Sequence, residues 1–492
     1  MPTPSEVETA FDRAVEALTR RGPGRMVPDL DRITALAGLL GDPQRAYPSV
    51  HVTGTNGKGS VVRMVGALCA AAGLSAGTYT SPHLQSVRER LSLAGRHIPA
   101  RTFAQVHDEV DGLARLLDDR AGPDGDHVTY FELLTAMAFW WFADAPVDVG
   151  VFEVGMGGRW DATNLVRGDV AVLAEIDVDH SELGDDPVTV AGEKVGIIKP
   201  GARVVVARQR PEVRAVIDRA VAEADATAWH LDTDVAVVER RIAVGGQQCA
   251  FRVGDREIRD VLLPLFGAHQ ADNAALALGA FAALTGAAFD EMDDDVLRHG
   301  LAAVTVPGRL EVAHRAPTVV LDGAHNPHGA RAAAAAVTEA FEFRDLVLVV
   351  ACMADKDLPG ILGPWAPLAS HVVVTRAPSS RAAPLDRMHA AARAVWADGD
   401  VPVEAAEDLE VALELAERLA GDGDGVLVTG SLLTVGAARD RYLPVTDPGD
   451  EVVYAPDDLD DEADGSEPLD AREVEQARET FQDALDRMLD DR

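Results

Sequence analysis

Short runs of β-branched residues alternate with Ala- and Leu-rich helical stretches along most of this chain. The strands expected in its first part are Val50–Thr53, Val147–Val154, Val170–Glu175 and Arg203–Val206. The helices expected there are Val61–Ala72, Phe131–Ala143 and Glu212–Ala224, and a β-rich stretch follows at Val235–Val253. Strands and helices in this order are typical of parallel sheets with helical crossovers. The alternation therefore predicts an α/β fold with a mostly parallel sheet.

A second, shorter series of the same kind follows. Its expected strands and helices are Thr318–Leu321, Ala330–Phe341, Leu346–Val350, His371–Thr375, Leu409–Leu419 and Gly425–Thr429. We place the boundary between the two series at 304–308, where a helix ends and a Pro-Gly pair precedes the new strands. Because 492 residues exceed one ordinary domain, we predict a larger α/β domain over 1–304, a smaller Rossmann-like α/β domain over 305–445 and a tail over 446–492.

The tail has a composition of its own. It carries 18 acidic residues against four arginines, and its first half, rich in Asp, Glu, Pro and Gly, is predicted to be disordered. Near the end of the chain, apolar residues recur every three or four positions, which predicts an amphipathic helix; they are Val474, Ala477, Phe481, Leu485 and Met488. Such a helix could pack on its own protein, contact another molecule or stay solvated.

Charge and composition exclude several classes of function. The formal net charge of -36 repels a phosphate backbone, so we expect no nucleic-acid partner. The most apolar stretch, Leu133–Ala143, is about half as long as a bilayer span requires, so we expect no membrane partner either. The three cysteines lie far apart in the sequence, without disulfide or zinc spacing. We expect a cytoplasmic protein, and a monomer.

Lysine is scarce in this chain, although lysine is normally a common residue. Its four lysines are Lys58, Lys194, Lys199 and Lys356. Arginine cannot replace an amine that reacts or that acts as a compact point charge on phosphate. The four lysines are therefore candidate functional residues, with an accidental position as the alternative for Lys199.

A glycine-rich segment between the strand at Val50 and the helix at Val61 carries the most specific signal. Its residues are Gly54, Thr55, Asn56, Gly57, Lys58, Gly59 and Ser60. Glycines let successive backbone N–H groups turn toward an anion, and the start of a helix adds partial positive charge. In such a loop the lysine reaches the β- and γ-phosphates and the serine hydroxyl faces Mg²⁺. The segment predicts an ATP-binding loop, and hence a P-loop-type first domain.

Three further side chains follow predicted strands or begin a helix nearby. Glu153 ends a buried strand before a glycine-rich turn, and its carboxylate is a ligand type that Mg²⁺ prefers. His180 follows the next strand, and Lys194 comes about a dozen residues later. Because ligands gather at the carboxyl ends of parallel strands, we expect Glu153 and His180 to converge there with Lys58. The alternatives are a salt bridge or cap for Glu153, a structural histidine and a solvated lysine.

Ten motifs occur in one order along the chain. They are Gly54–Ser60, Ser81–Leu84, Thr129–Glu132, Glu153–Asn164, Glu193–Ile197, His269–Asn273, Pro307–Arg309, Leu321–Pro327, Asp355–Asp357 and Gly430–Leu432. In this order they closely resemble the folylpolyglutamate synthase/dihydrofolate synthase family of the Mur ligase superfamily, from about residue 5 to residue 443. The acidic tail has no counterpart in the family pattern.

The resemblance implies an ATP-dependent ligase that joins L-glutamate to dihydropteroate or to a folate through an acyl phosphate. It implies two Mg²⁺ ions, with metal ligands at Ser81, Glu153 and His180 and assistance from Ser60. Lys58, Lys194 and His180 would be catalytic, and Lys194 matches the lysine that the family carries as a CO₂-derived carbamate. A free ammonium on Lys194 that contacts phosphate is the alternative.

The resemblance also assigns binding residues. Nucleotide contacts fall on Asn273, Arg309, Asp322 and His325, in addition to the glycine-rich loop. Residues of the acceptor pocket fall on Thr129, Tyr130, Phe131, Glu132, Trp160, Asp161 and Ala162. Trp160 and Tyr130 depart from the usual residue types at their positions, which predicts an altered pocket shape. We expect a bifunctional enzyme, and the alternatives are another Mur-superfamily ligase or a nucleotide-binding regulator without activity.

Overall fold

The computed structural model describes residues 3–24, 27–178 and 181–444. His180 and the tail over 446–492, with its predicted terminal helix, lie outside the described residues. The strands are β1 (Ser49–Thr53), β2 (Ala76–Tyr79), β3 (Leu91–Leu93), β4 (Arg96–His97), β5 (Val149–Glu153), β6 (Val170–Leu173), β7 (Arg203–Val206), β8 (Thr227–His230), β9 (Val235–Ala243), β10 (Gly246–Val253), β11 (Arg256–Leu263), β12 (Glu311–Arg315), β13 (Thr318–Leu321), β14 (Leu346–Val350), β15 (His371–Val374), β16 (Val403–Ala405) and β17 (Gly425–Thr429).

The α-helices of the described residues connect and cover these strands. They are α1 (Pro4–Arg21), α2 (Asp31–Leu39), α3 (Lys58–Ala71), α4 (Ala100–Ala121), α5 (Tyr130–Asp144), α6 (Pro187–Lys194), α7 (Pro211–Glu223), α8 (Ala268–Thr285), α9 (Ala287–Glu291), α10 (Asp294–Ala302), α11 (Pro327–Ala340), α12 (Leu358–Leu362), α13 (Leu385–Val395), α14 (Leu409–Leu419) and α15 (Leu432–Tyr442). None of these described helices is both long and apolar enough to cross a bilayer.

The first α/β unit is built on a sheet of eight strands in the order β4-β3-β2-β5-β1-β6-β7-β8. The pairs from β2 to β8 are parallel, and β3 and β4 add antiparallel strands at one edge. The central strand β1 is buried along its whole length, since it lies between β5 and β6 and is covered by helices. The predicted mostly parallel sheet is confirmed.

The β-rich stretch after His230 forms a sheet of its own. Strands β9, β10 and β11 pair antiparallel in sequence order. Their inner side chains, such as Phe251 and Ile258, join the same hydrophobic core as α3 and α8. This small sheet therefore extends the core of the first unit beyond its parallel sheet.

The second α/β unit has six strands in the order β12-β13-β17-β14-β15-β16. Only β12 is antiparallel among the pairs of this sheet. Helices α11 to α13 cover one face and α14 and α15 the other, and each layer has its own apolar cluster. The prediction of a second, smaller α/β unit is confirmed.

Candidate active site

Four neighbouring strands of the first sheet, β2, β5, β1 and β6, end at one cleft between the two α/β units. The cleft has a volume of about 1260 Å³. Its walls come from the loop after β1 and the ends of β2 and β5 on one side, and from the segment after β13 on the other. Parallel strands gather their ends at one edge of a sheet, which explains why segments distant in sequence meet here.

The loop between β1 and α3 takes its shape from two glycines. Gly54 has φ +152° and Gly57 has φ +84°. A Cβ on Gly54 would lie 2.7 Å from the Cβ of Ala174, and a Cβ on Gly57 would lie 2.5 Å from Oδ1 of Asn273. No other residue type fits these two positions without displacing a neighbour. The loop therefore brings its backbone close to the start of α8.

Further contacts fix this phosphate-type loop. The Thr55 amide donates to the Glu175 carbonyl at 2.8 Å, and the Thr55 hydroxyl donates to the Asp177 carbonyl at 2.6 Å. Lys58 begins α3, and its Nζ donates to the carbonyls of Gly54 and Thr55 at 3.1 and 3.2 Å. The positive end of α3 and the Lys58 ammonium thus lie at the same end of the cleft, as an anion site requires.

Glu153 ends β5 directly opposite the start of α3. Its side chain is buried, and Oε2 accepts a hydrogen bond of 2.9 Å from the Ser81 amide. A Cβ on Gly59 would lie 3.3 Å from Oε2, so the carboxylate sits against the first turn of α3. Burial raises the pKa of Glu153, while the positive charges of Lys58 and Arg309 oppose this rise.

Lys194 lies beneath the same loop. Its side chain is only 4% exposed, and Nζ donates to the Gly54 carbonyl at 2.9 Å. The same carbonyl accepts from Lys58, so two lysine amines share one oxygen. Lys194, Lys58 and Asp177 also line a small cavity of about 10 Å³ behind the loop. Lys194 therefore lies beside Lys58 at the phosphate-type loop.

Two of the predicted nucleotide contacts lie on opposite sides of the cleft. Asn273, in the first turns of α8, is buried and donates to Gln270 Oε1 at 3.2 Å. His325 lies in the second unit, and the contact of its Nδ1 with the Gly323 carbonyl is 2.9 Å. Both residues line the cleft.

Asp322 follows β13 and is also buried. Its carboxylate accepts from the amides of Leu310 and Ala324 at 3.0 and 2.9 Å. Burial raises the pKa of Asp322, and the Arg309 guanidinium counteracts the rise. Arg309 and Asp322 therefore enter the cleft together from the second unit.

The predicted acceptor wall begins at the first turn of α5. The Thr129 hydroxyl accepts from the Glu132 amide at 3.2 Å, and Glu132 Oε2 accepts from the Thr129 amide at 2.8 Å. This reciprocal capping fixes the helix start. Both Glu132 oxygens also accept from Nε of Arg32 at 3.0 Å. The Glu132 carboxylate therefore holds α5 and α2 together in this wall.

Aromatic side chains form the next part of the wall. A Cβ on Gly155 would lie 2.5 Å from the Phe131 ring, which shows how closely that ring covers the turn after β5. The Arg90 guanidinium lies 5.4 Å from the centre of the Tyr130 ring. Trp160 remains 47% exposed at the cleft. A flat heterocycle fits a pocket with such apolar and aromatic faces.

Asp161 and Ala162 complete the wall. The Asp161 carboxylate accepts from the Met156 amide at 2.9 Å, from the Thr163 amide at 3.0 Å and from the Thr163 hydroxyl at 2.5 Å. Its hydrogen bonds thus set the shape of the loop, whose neighbouring residue Ala162 is buried. Both residues line the cleft, and the Asp161 carboxylate accepts hydrogen bonds from backbone amides of its own loop.

Arg32, Arg90, Glu175 and His328 are among the cleft residues that were not predicted from the sequence. Arg32 and Arg90 carry no local motif, and only the fold brings them to the acceptor wall. Glu175 and His328 form an ion pair of 3.0 Å across the cleft. His328 follows the Leu321–Pro327 motif by one residue, which is the only sequence signal that pointed near it.

The oxygen donors around the start of α3 bear on the predicted metal site. Among the described residues there is no group of three or more His, Cys, Asp or Glu side chains that could hold a metal ion. Glu153, Ser60 and Ser81 instead lie around the start of α3 and line the cleft. One buried carboxylate, two hydroxyls and substrate phosphates are hard oxygen ligands, which suits Mg²⁺. His180 lies outside the described residues.

Comparison with known proteins agrees with this geometry. Residues 52–281 match the family model of the Mur ligase middle domain, and residues 308–432 match that of the Mur ligase glutamate ligase domain. A dihydrofolate synthase/folylpolyglutamate synthase of Mycobacterium tuberculosis is 44% identical over an alignment of 468 residues that covers 90% of this chain and 96% of the relative.

Solved structures show the same similarity. The Mycobacterium tuberculosis folylpolyglutamate synthase complexed with ADP has a TM-score of 0.83 and 43% identity, and the match covers 89% of this chain and 99% of the other. A complex of folylpolyglutamate synthase (FPGS) with AMPPCP and folate has a TM-score of 0.74 and 29% identity, and the match covers 88% of this chain and 99% of the other. The chain belongs to the folylpolyglutamate synthase/dihydrofolate synthase family of Mur ligases, ATP-dependent enzymes that add L-glutamate to dihydropteroate or to folates.

Proposed function

We propose that this ligase uses both dihydropteroate and folates as acceptors of L-glutamate. The phosphate-type loop, the acceptor wall and the Arg309–Asp322 pair open into one cleft of about 1260 Å³, and this observation carries the proposal. The two acceptors share a pterin head, so one wall serves both. The Mycobacterium tuberculosis relative bears both activities in its name.

The proposed reaction has two steps. First the γ-phosphoryl group of ATP moves to the acceptor carboxylate, which gives an acyl phosphate and ADP. The glutamate amine then attacks the acyl carbon, and phosphate leaves. Positioning and charge neutralisation supply most of the rate in such transfers. Lys58 and the start of α3 are placed to hold the phosphates, and Arg309 adds positive charge from the second unit.

Closure of the cleft protects the acyl phosphate. Asn273 belongs to the first unit, whereas Arg309, Asp322 and His325 belong to the second. We propose that these four residues bind the nucleotide between the units, so that the site is complete only when both units are in place. Exclusion of water then prevents hydrolysis of the intermediate.

We propose Glu153, Ser60, Ser81 and His180 as the residues that hold Mg²⁺. When bound, Mg²⁺ neutralises the charge of the phosphate oxygens. The buried Glu153 carboxylate against the first turn of α3 supports this role.

We propose that Lys194 carries a carbamate. Two amines on the Gly54 carbonyl place positive charges close together beneath the loop. A carbamate on Lys194 would replace one of these charges by an anion and would offer oxygen ligands. Intact-protein mass measured in bicarbonate buffer, with Lys194→Arg as the control, tests this modification directly.

Phosphate release tests the function. The protein is incubated with ATP, Mg²⁺ and glutamate, together with dihydropteroate, with tetrahydrofolate or with no acceptor, and products are identified by mass. Activity with both acceptors is the expected result. Activity with one acceptor alone would refute the bifunctional proposal. If neither acceptor gave phosphate release, a nucleotide-binding regulator or a different Mur-type ligase would be favoured.

We also propose domain limits of 1–304 and 305–445, a monomeric state and a cytoplasmic location. The sheet strands support the domain limits, since β11 ends at Leu263 and β12 begins at Glu311. Limited proteolysis should cut first between α10 and β12. Light scattering coupled to size exclusion should give the mass of one chain.

A further inference from the structure

The segment after β2 leaves the ATP site and enters the second unit. It begins at Ser81, whose amide donates to Glu153. Three residues later, Leu84 packs against the apolar cluster beneath α15. A Cβ on Gly436 in α15 would lie 2.2 Å from the Leu84 carbonyl oxygen. The segment is therefore seated tightly on a helix of the other unit.

Polar contacts hold the same segment at its next residue. The Gln85 side chain donates through Nε2 to Asp440 Oδ1 at 2.8 Å and to the Leu443 carbonyl at 3.3 Å. Its Oε1 accepts from the Arg439 guanidinium. A side chain of the first unit thus makes three hydrogen bonds to α15 and the residue after it.

Arg439 continues the network toward the nucleotide site. It is buried, and Nε donates to both oxygens of Glu311 at 3.1 and 3.2 Å. Glu311 Oε2 also accepts from the Gly308 amide at 2.8 Å. Gly308 directly precedes Arg309, which enters the cleft. One chain of contacts therefore runs from the Ser81 segment to the Arg309 turn.

We propose that Gln85, Arg439 and Glu311 form a positioning network that sets the second unit, and with it Arg309, relative to the Ser81 segment. None of these three side chains lines the cleft, so they act through the residues they hold. The network couples the two halves of the ATP site because its ends adjoin one residue from each half. This inference rests on the proposed roles of Ser81 and Arg309.

The test is the variant Gln85→Ala, which removes the hydrogen bonds of the Gln85 side chain to α15 and leaves the Arg439–Glu311 pair in place. We expect kcat/KM for ATP to fall about tenfold or more. We also expect the Kd for ADP, measured by calorimetry without acceptor, to rise about fivefold or more. The thermal midpoint should stay within about 2 °C of the wild type, since Gln85 is only half-buried.

The control is an ion pair between the units that involves no residue of the Ser81 segment. Arg240 of β9 pairs with Glu339 of α11. The variant Glu339→Gln breaks this pair, and neither residue lines the cleft. Its kcat/KM and ADP affinity should match those of the wild type.

Arg439→Lys is the second variant, because it keeps the charge beside Glu311 but loses the fork that also reaches Gln85. It should resemble Gln85→Ala in ADP affinity. Unchanged ADP affinity in Gln85→Ala and Arg439→Lys, or equal losses in Glu339→Gln, would overturn the network. A wild-type protein without activity on either acceptor would instead refute the proposed function, so failure of the network and failure of the function are distinguishable.

Discussion

At the scale of single residues, the site contains buried ionisable side chains, whose charged forms are costly to bury in a folded protein. Glu153 and Asp322 are both buried carboxyls, and burial raises the pKa of each. An acid whose pKa is higher in the folded than in the unfolded state destabilises the fold once it ionises. Such groups are typical of catalytic sites, where they are retained for chemistry.

Glu153→Gln should separate activity from stability. Gln cannot ionise, so it loses a negatively charged ligand but avoids the unfavourable burial of charge. We expect kcat to fall by about 10²-fold or more, with a thermal midpoint at pH 8 equal to or above that of the wild type. The difference in thermal midpoint should close as pH falls from the raised folded pKa of Glu153 to the ordinary carboxyl pKa, because Glu153 then becomes neutral. A variant of wild-type activity would remove Glu153 from the reaction.

Lys194→Ala should abolish turnover while the fold persists. The side chain makes a buried hydrogen bond to the phosphate-type loop, and its proposed carbamate supplies an anion there. Added short carboxylic acids should restore part of the activity, since they can occupy the vacated space with a carboxylate. Lys194→Arg, which cannot form a carbamate, should be inactive and insensitive to these acids. If the acids restored the activity of both variants to the same extent, the proposed carbamate on Lys194 would be refuted.

At the scale of elements, the central strands were predictable and the peripheral ones were not. Strand β1 was predicted to within one residue and β7 at its observed bounds, because buried parallel strands are continuous β-branched runs. Strands β3 and β4 are two or three residues long and show no periodicity. Helix α8 is buried on almost all sides, so it has no polar face by which its period could be recognised.

In the candidate site, too, some residues could be predicted from the sequence and others could not. Its motif residues, such as Lys58 and Glu153, lie on strand ends or helix starts and could be placed from local sequence. Arg32 and Arg90 could not, because the packing of α2 and of the β2–β3 connection brings them to the acceptor wall. The Glu132 carboxylate accepts hydrogen bonds both from the Thr129 amide and from Arg32. The sequence could not predict the second contact, since Arg32 lies 100 residues away.

The loop after β5 offers a prediction at the element scale. Lys199 donates to the carbonyl and to Oδ1 of Asn164 at 2.7 and 2.8 Å. Asn164 in turn donates to the carbonyls of Arg159 and Gly196 at 3.0 and 3.2 Å. Lys199→Met should therefore loosen the loop that carries Trp160, and raise the acceptor KM about threefold to tenfold. The KM for ATP should not change; a parallel rise in both would indicate general destabilisation.

At the scale of the whole molecule, the acidic tail adds a strong local negative charge beyond the residues that the family models match. The matched family models end at residue 432, and the described α15 ends at Tyr442. Truncation after Pro444 should leave kcat and both KM values within about twofold of the full chain. Steady-state kinetics of the two proteins measures this, and a collapse in activity would show that the tail supports the catalytic body.

The two units also meet through a titratable pair. His328 Nε2 lies 3.0 Å from Glu175 Oε1, and its Nδ1 lies 3.0 Å from Nδ2 of Asn56. The hydrogen bond to Glu175 raises the pKa of His328, aided by the charge of Asp177 and opposed by burial and by Arg331. A histidine with a raised folded pKa stabilises the protein fully below its unfolded pKa of about 6.5. That stabilisation is lost as pH rises through the folded value.

His328→Gln should therefore remove a pH-dependent part of the contact between the units. Gln keeps a polar side chain beside Glu175 but never carries a charge. The wild type should unfold at a higher temperature than the variant at pH 5.5, and the gap should shrink by about 1 °C by pH 8.5, since partly exposed ion pairs contribute little. Glu175→Gln, which leaves His328 without its carboxylate, should show the same loss of pH dependence. Calorimetric midpoints across this range measure the gap, and a constant difference at all pH values would mean that His328 contributes by packing alone.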